Sequence, residues 1–253
     1  MTEHVDVNRA HWTRANAEFT DRDAEEKWAR EDIVWGAFEW PESELGILGD
    51  VAGLDVVELG CGTAYFSAWL ARRGARPAGV DVTPAQLETA RRMQKLHGLE
   101  FPLIEASAED VPLPDASFDI ALSEFGAALW CDPEIWIPEA ARLLRPGGRL
   151  VFMRGSTLMQ LCDDEEHATD RLTRDWSFLL GRMDFRGEGG GIEWHPPTGV
   201  MLGVLRSASF ELLELHELLA STEAQTHPRY DFVTADWGRR WPSAELWVAR
   251  KDA

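Results

Sequence analysis

Leu54-Asp55-Val56-Val57-Glu58-Leu59 runs directly into Gly60-Cys61-Gly62-Thr63-Ala64. From Tyr65 onward Phe66, Trp69 and Leu70 recur at helical spacing until Gly74 ends the run. A β-branched run of that length reads as a strand buried on both faces, and such strands belong to parallel sheets flanked by helices. The glycines let the backbone turn sharply and approach a bound group, while the first turn of the following helix offers free N–H groups. Strand, glycine turn and helix together form a nucleotide-binding arrangement. A dinucleotide fingerprint would have its third glycine at 65, where this chain has Tyr65, and a bulky ring there argues against a pyrophosphate lying across the turn. The turn by itself is a weak signal, since a glycine turn can also serve plain strand-to-helix geometry.

The same unit then repeats. Arg76 to Val82 reads as a second strand, Thr83 as the cap and Pro84 as the first residue of a helix that runs from Gln86 to His97 and stops at Gly98. Further strands are expected at 100–105, 118–123 and 149–153, with a helix over 134–144. After position 155 the pattern breaks into an acidic, Trp- and Gly-containing stretch, 155–197, with one helix expected near 168–180 and a flexible Gly187–Gly191 segment. It resumes with a helix over 198–207 and strands at 210–217 and 244–250. Two short helices precede the core within residues 7–31. The expectation is one α/β domain over 1–253. It is a Rossmann-like doubly wound sheet of seven strands, mostly parallel with the last antiparallel, and helices on both faces. Residues 1–48 form an N-terminal helical cap, 49–154 the cofactor-binding core, 155–197 an insertion or lid, and 198–253 the rest of the sheet.

Composition narrows the partners. With 44 acidic against 25 basic side chains the formal charge is −19, a field that repels polyanions over a Debye length of ~8–10 Å. Nucleic acid is therefore not the expected partner; the densest cationic stretch, Arg91-Arg92-Met93-Gln94-Lys95, reads as a solvated helix face. No apolar run approaches the roughly 20 residues of a membrane-spanning helix. The polar start Met1-Thr2-Glu3-His4 lacks the pattern of a secretory signal, and Cys61, Cys131 and Cys162 form no CxxC pair. A cytoplasmic protein without a metal site is expected, as a monomer or homodimer.

Asp81, at the end of the second strand, lies where a carboxylate can accept both hydroxyls of a ribose crossing the end of the first. Four segments in order then resemble the successive motifs of class I S-adenosylmethionine-dependent methyltransferases, in particular the small-molecule group related to ubiquinone and menaquinone biosynthesis methyltransferases. They are Glu58-Leu59-Gly60-Cys61-Gly62-Thr63-Ala64, Gly79-Val80-Asp81, Ala106-Ser107-Ala108-Glu109-Asp110 through Phe118-Asp119, and Leu143-Leu144-Arg145-Pro146-Gly147-Gly148-Arg149-Leu150.

The resemblance implies S-adenosyl-L-methionine as cofactor and a small-molecule methyl acceptor. It places Glu58 at the methionine ammonium, Gly60, Cys61 and Gly62 along the methionyl part, and Asp81 on the ribose. Val82 and Gln86 flank the adenine, Ala108 and Glu109 meet its edge, and Ser123 and Glu124 lie under the methionyl chain. Ser107 departs from the family, which usually has Asp there to bind the adenine amine; a hydroxyl is a weaker acceptor than a carboxylate. Ala64 replaces a frequent third glycine, a change tolerated where that residue is already helical. Trp12 and Phe19 resemble an aromatic lid, with Trp12 favoured because its ring face attracts a cation such as a sulfonium. They serve equally well as core anchors of the first helix.

Methyl transfer needs alignment and exclusion of water more than side-chain chemistry, so no catalytic residue is singled out. Candidate bases, where an acceptor has to lose a proton, are His11, Glu124, His167, His195 and His227. The histidines beside prolines, at 195 and 227, read more as loop residues than as bases. Phe125, Trp130, Trp176, Phe178, Met183 and Trp194 offer apolar lining for an acceptor or a core for the insertion. The alternatives are an NAD(P)-dependent oxidoreductase, weakened by Tyr65 and the terminal strand, and a cofactor-binding module without turnover.

Overall fold

The computed structural model describes residues 2–164, 167–230 and 232–252, with only the backbone of Glu188. Among the described residues the main sheet has seven strands: β1 Asp55–Leu59, β2 Arg76–Asp81, β3 Leu103–Glu105, β4 Phe118–Glu124, β5 Leu144–Gly155, β6 Phe210–Leu218 and β7 Ala244–Lys251. Their order across the sheet is β6-β7-β5-β4-β1-β2-β3. β1 to β5 are mutually parallel, and β7 runs antiparallel between β5 and β6. The fold expected from the sequence is the fold observed, with β7 as the antiparallel strand.

Alternation along β1 explains why helices cover both faces. Val57 and Leu59 join one core cluster with Trp136, Ile137, Met201 and Leu205, from helices α5 Pro133–Leu143 and α7 Thr198–Ser207. Val56 joins the other, with Phe66, Trp69 and Leu70 of α3 Tyr65–Arg72. Successive strand side chains point to opposite faces, so a strand apolar at consecutive positions needs cover on each side. The N-terminal helices α1 Glu3–Ala15 and α2 Thr20–Ala29 lie over the glycine-turn end. Trp28 is fully buried there against Ala64, Ala68 and Leu87, the last from α4 Pro84–His97.

The expected helix near 168–180 does not form. The stretch instead holds α6 Thr157–Cys162, a single 3-10 turn at Trp176–Leu179, and a small hairpin pairing 182–184 with 192–194 around the glycine segment. Leu172, Trp176 and Leu180 are 69, 55 and 58% exposed, so the segment has no apolar stripe docked on the core. The Thr169 and Thr173 hydroxyls bond back to the carbonyls of Cys162 and Leu161, the local competition that keeps such residues out of helices. A two-strand ribbon, Val34–Trp35 with Trp40–Pro41, was not foreseen; it brings Gly36 to the strand ends.

Candidate cofactor and acceptor site

A cavity of about 660 Å³ opens at the carboxyl ends of β1, β2, β4 and β5. Its floor is the glycine turn. Gly60 N–H and Cys61 N–H both donate to Val80 O at 2.9 Å, tying the turn to β2. Gly60 has φ +76°, and a Cβ there would stand 2.5 Å from Ala127 N, so only glycine lets this backbone pass the turn after β4. Behind it Ser123 Oγ donates to Leu59 O and accepts from Ala128 N–H.

Asp81 closes one side. Its Oδ2 accepts Gly62 N–H and its Oδ1 accepts Thr83 N–H, each at 2.8 Å. Burial pushes its carboxyl above the usual range, and the Thr83 and Gly62 N–H groups, with the Thr83 side chain, pull it back. Oδ2, with Gly62 N–H as its one N–H donor, keeps a further acceptor position. Thr83 thus starts α4 through its backbone, without the side-chain cap expected of it. Gln86 presents a buried Oε1 with no partner, on the side of the turn where a Cβ at Gly62 would come within 2.8 Å of it. A glycine cradle, a buried carboxylate with a spare acceptor position and an orphaned amide oxygen together suit a ligand carrying hydroxyl and N–H donors.

Glu58 lies under the turn, where its Oε2 accepts Ser67 N–H at 2.9 Å and Ser67 Oγ–H at 2.5 Å. Burial drives its pKa up to about 8 against the pull of those bonds, with Glu124 and Asp81 raising it further. Oε1 has no protein donor among the described residues. A cation placed beside it would stabilise the ionised form.

Of the residues singled out from the sequence, Trp12, Glu58, Gly60, Cys61, Gly62, Asp81, Val82, Gln86, Ser107 and Ala108 all line this cavity. Ser107 Oγ already accepts Glu109 N–H at 3.2 Å. Two of the set lie elsewhere. Glu109 turns away from the cavity and holds His4 Nε2 at 2.7 Å and Asp132 N–H at 2.8 Å, tying α1 to the sheet. Ser123 is the clamp behind the turn rather than part of the wall. Ala64 is not helical either: it precedes α3 with φ +58°, in the left-handed region where glycine is at ease.

Trp12 meets Trp130 edge-on at 5.3 Å on the wall, whereas Phe19 lies off it, 6.4 Å from the Tyr230 ring. The far wall combines Phe125, Met159, Gln160, Phe185, Tyr230 and Phe232 with the ion pair Arg174–Asp163 at 3.0 Å. Trp176, Phe178, Met183 and Trp194 do not reach the cavity. Met183 is buried in the insertion's own cluster with Leu161 and Leu179, and Trp176 is exposed.

Glu124, His195 and His227 of the candidate bases face the cavity; His11 and His167 do not. His195 lies in the connection after the 192–194 strand, as expected, but is only 4% exposed, with Nε2 2.7 Å from Glu193 Oε2 and a buried Nδ1 lacking a protein partner. Glu124 accepts Tyr65 Oη–H at 2.8 Å and Gly36 N–H at 3.0 Å. Lys27, Gly36, Gln160 and Tyr230 were missed by sequence reasoning. Lys27 alone had a signal, its place beside Trp28 on a helix anchored to the turn.

The strand order and a glycine-turn site at the strand ends define the Rossmann-like fold of class I methyltransferases. A family model described as a methyltransferase domain matches residues 57–152. Malonyl-[acyl-carrier protein] O-methyltransferase of Serratia marcescens is 35% identical over 125 residues, 48% of this chain and 47% of that protein. Demethylmenaquinone methyltransferase of Tropheryma whipplei is 35% identical over 113 residues, 44% of this chain and 46% of the relative. The chain thus matches about half the length of these curated relatives. The crystal structure of an S-adenosylmethionine dependent methyltransferase from Mesorhizobium loti superposes with a TM-score of 0.67 at 27% identity, covering 85% of this chain and 99% of that one.

Proposed function

We propose that this chain is an S-adenosylmethionine-dependent methyltransferase acting on a small, partly apolar acceptor. The observation that carries the reading is the meeting of Asp81 with the bare backbone of Gly62, 2.8 Å apart on the cavity wall. In this reading Asp81 binds the ribose hydroxyls, and Val82, Gln86 and the Ala108 backbone hold the adenine. Gly60 and Cys61 run along the methionyl chain, and Glu58 Oε1 faces its ammonium. Bound S-adenosylmethionine supplies a methyl group made electrophilic by its sulfonium. Trp12 and Trp130 exclude water and present ring faces to positive charge.

The acceptor lies against the far wall, where Phe125, Phe185 and Phe232 suit an apolar body, and Gln160 and Arg174 a polar end. Two relatives are named for their acceptors, malonyl-[acyl-carrier protein] and demethylmenaquinone. The division into cap, core, insertion and C-terminal part fits this assignment: the core grips the cofactor, the cap closes over it, and the insertion and C-terminal part, with Phe125 of the core, line the acceptor side. Tyr65 Oη is bound to Glu124 where a nicotinamide-binding turn needs its third glycine, which leaves the oxidoreductase reading without support.

Calorimetry with S-adenosylhomocysteine tests the cofactor, and methyl release from S-adenosylmethionine across a panel of carboxylate, phenol and quinol acceptors tests turnover. A folded chain with no measurable affinity for S-adenosylhomocysteine removes the proposal. Binding without turnover on any acceptor favours a cofactor-holding module.

A further inference from the structure

We propose that the Lys27 ammonium is the receptor for the carboxylate at the amino-acid end of the cofactor, an inference that rests on the methyltransferase reading above. Lys27 is fixed relative to the glycine turn by two indoles. Trp28 Nε1–H donates to Thr63 O at 2.8 Å, within the turn, and Trp69 Nε1–H donates to Lys27 O at 2.9 Å. Its Nζ stands 4.5 Å from the centre of the Tyr65 ring, the first residue after that turn, and 5.9 Å from that of Tyr230.

Charge on the wall singles it out. Arg30 is paired with Glu39 at 2.6 Å and Arg174 with Asp163 at 3.0 Å, whereas Lys27 Nζ has no hydrogen bond or ion pair among the described residues. The acids Asp81 and Glu124 on the same walls offer a carboxylate no partner. Glu124, the acid that acts most strongly on Lys27, is already held by Tyr65 and Gly36. Burial pulls the Lys27 ammonium below its ordinary pKa, with Glu124 acting against that pull, and an anion alongside would restore its charge. A compact ammonium with three donors suits one carboxylate, and the two tyrosine rings hold it in place. With the methionyl chain along Gly60 and Cys61, its carboxyl end falls beside Tyr65 and hence beside Lys27.

Two ligands separate this role from a structural one. S-adenosylhomocysteine carries the carboxylate; 5′-methylthioadenosine keeps the adenosine and sulfur without it. Lys27→Met is expected to weaken S-adenosylhomocysteine by about 10- to 100-fold, the range of a charge-assisted hydrogen bond. Its effect on 5′-methylthioadenosine should stay below about twofold, and Lys27→Arg should recover part of the loss. Thermal unfolding checks that each variant is folded, and Lys27→Gln replaces the Met variant should that one fail to fold. Unchanged affinity for S-adenosylhomocysteine, or an equal loss on both ligands, overturns the assignment while leaving the cofactor reading intact. The first of these outcomes would reassign Lys27 to an anionic acceptor. A wild-type chain that binds neither ligand removes the cofactor reading, and this inference with it.

Discussion

The two walls of the cavity are built in different ways. The wall at the glycine turn is mostly backbone: Gly60, Cys61 and Gly62 are tied by N–H groups to Val80 O and Asp81, and the residues involved lie within about one βαβ unit. The opposite wall is mostly side chain. It takes Phe125 from the end of β4, Gln160 from α6, Arg174, Phe185 and His195 from the insertion, and Tyr230 and Phe232 from the segment between β6 and β7. A backbone site recognises a constant ligand and tolerates few changes, whereas a wall of side chains from separate segments can be rebuilt for another acceptor without moving the sheet.

The contrast is open to attack by mutation. Asp81→Ala should produce the largest effect, weakening S-adenosylhomocysteine by at least about 100-fold, since two hydrogen bonds to a carboxylate at ~1.5–3 kcal/mol each are lost. Calorimetry reads this directly, and unchanged affinity would sink the assignment of the backbone wall.

Glu58→Gln comes next and acts in two directions. In the unliganded fold Glu58 keeps its proton up to about pH 8, while the unfolded chain releases it near the ordinary value of 4.5. Its contribution to stability is therefore present in full below about pH 4.5 and is lost as pH climbs to about 8. A glutamine accepts the Ser67 donors without that slope. The variant should melt a few degrees above the parent at pH 8 and differ less at pH 5. It should also bind S-adenosylhomocysteine more weakly and lose the rise in affinity that the parent shows as Glu58 ionises. Calorimetric melting and binding across pH 5–9 check both halves.

Ala64→Gly should shift stability by no more than about 1 kcal/mol. Relief of a left-handed alanine, worth ~1–2 kcal/mol, is opposed by the lost burial of a methyl and the entropy of a new glycine. Ala64→Val should destabilise clearly, because a β-branched residue fits neither that backbone nor the packed site beside Trp28. Denaturant unfolding of the pair tests the reading of the turn.

The smallest expected effect falls on the other wall. Gln160→Ala and His195→Ala should each leave S-adenosylhomocysteine affinity within about twofold, since neither belongs to the turn. A loss comparable to that of Asp81→Ala would show that the walls are coupled.

Legibility in the sequence follows the same division. Ten of the residues proposed for cofactor binding line the cavity; eight sit at strand ends and in turns whose geometry local sequence dictates, and Trp12 and Gln86 reach it from α1 and α4. Glu109 and Ser123 were misplaced because motif position does not say which way a side chain turns. Glu109 found His4 of α1, 105 positions away, and Ser123 found the Leu59 carbonyl. His195 looked like a loop residue beside two prolines, and its burial and its contact with Glu193 became visible only once the chain was folded. The helix expected in the insertion was a local pattern with no surface to dock on.

Order of strands, the glycine turn, the carboxylate after β2 and the class of ligand they imply were determined by the sequence itself. These depend on periodicity and on backbone conformations that glycine and short polar residues impose on their neighbours. The partners of Lys27 and Glu124, the shape of the acceptor wall and the protonation of Glu58 were decided only by the tertiary structure. Each depends on desolvation and on contacts between segments far apart along the chain, which no local pattern encodes.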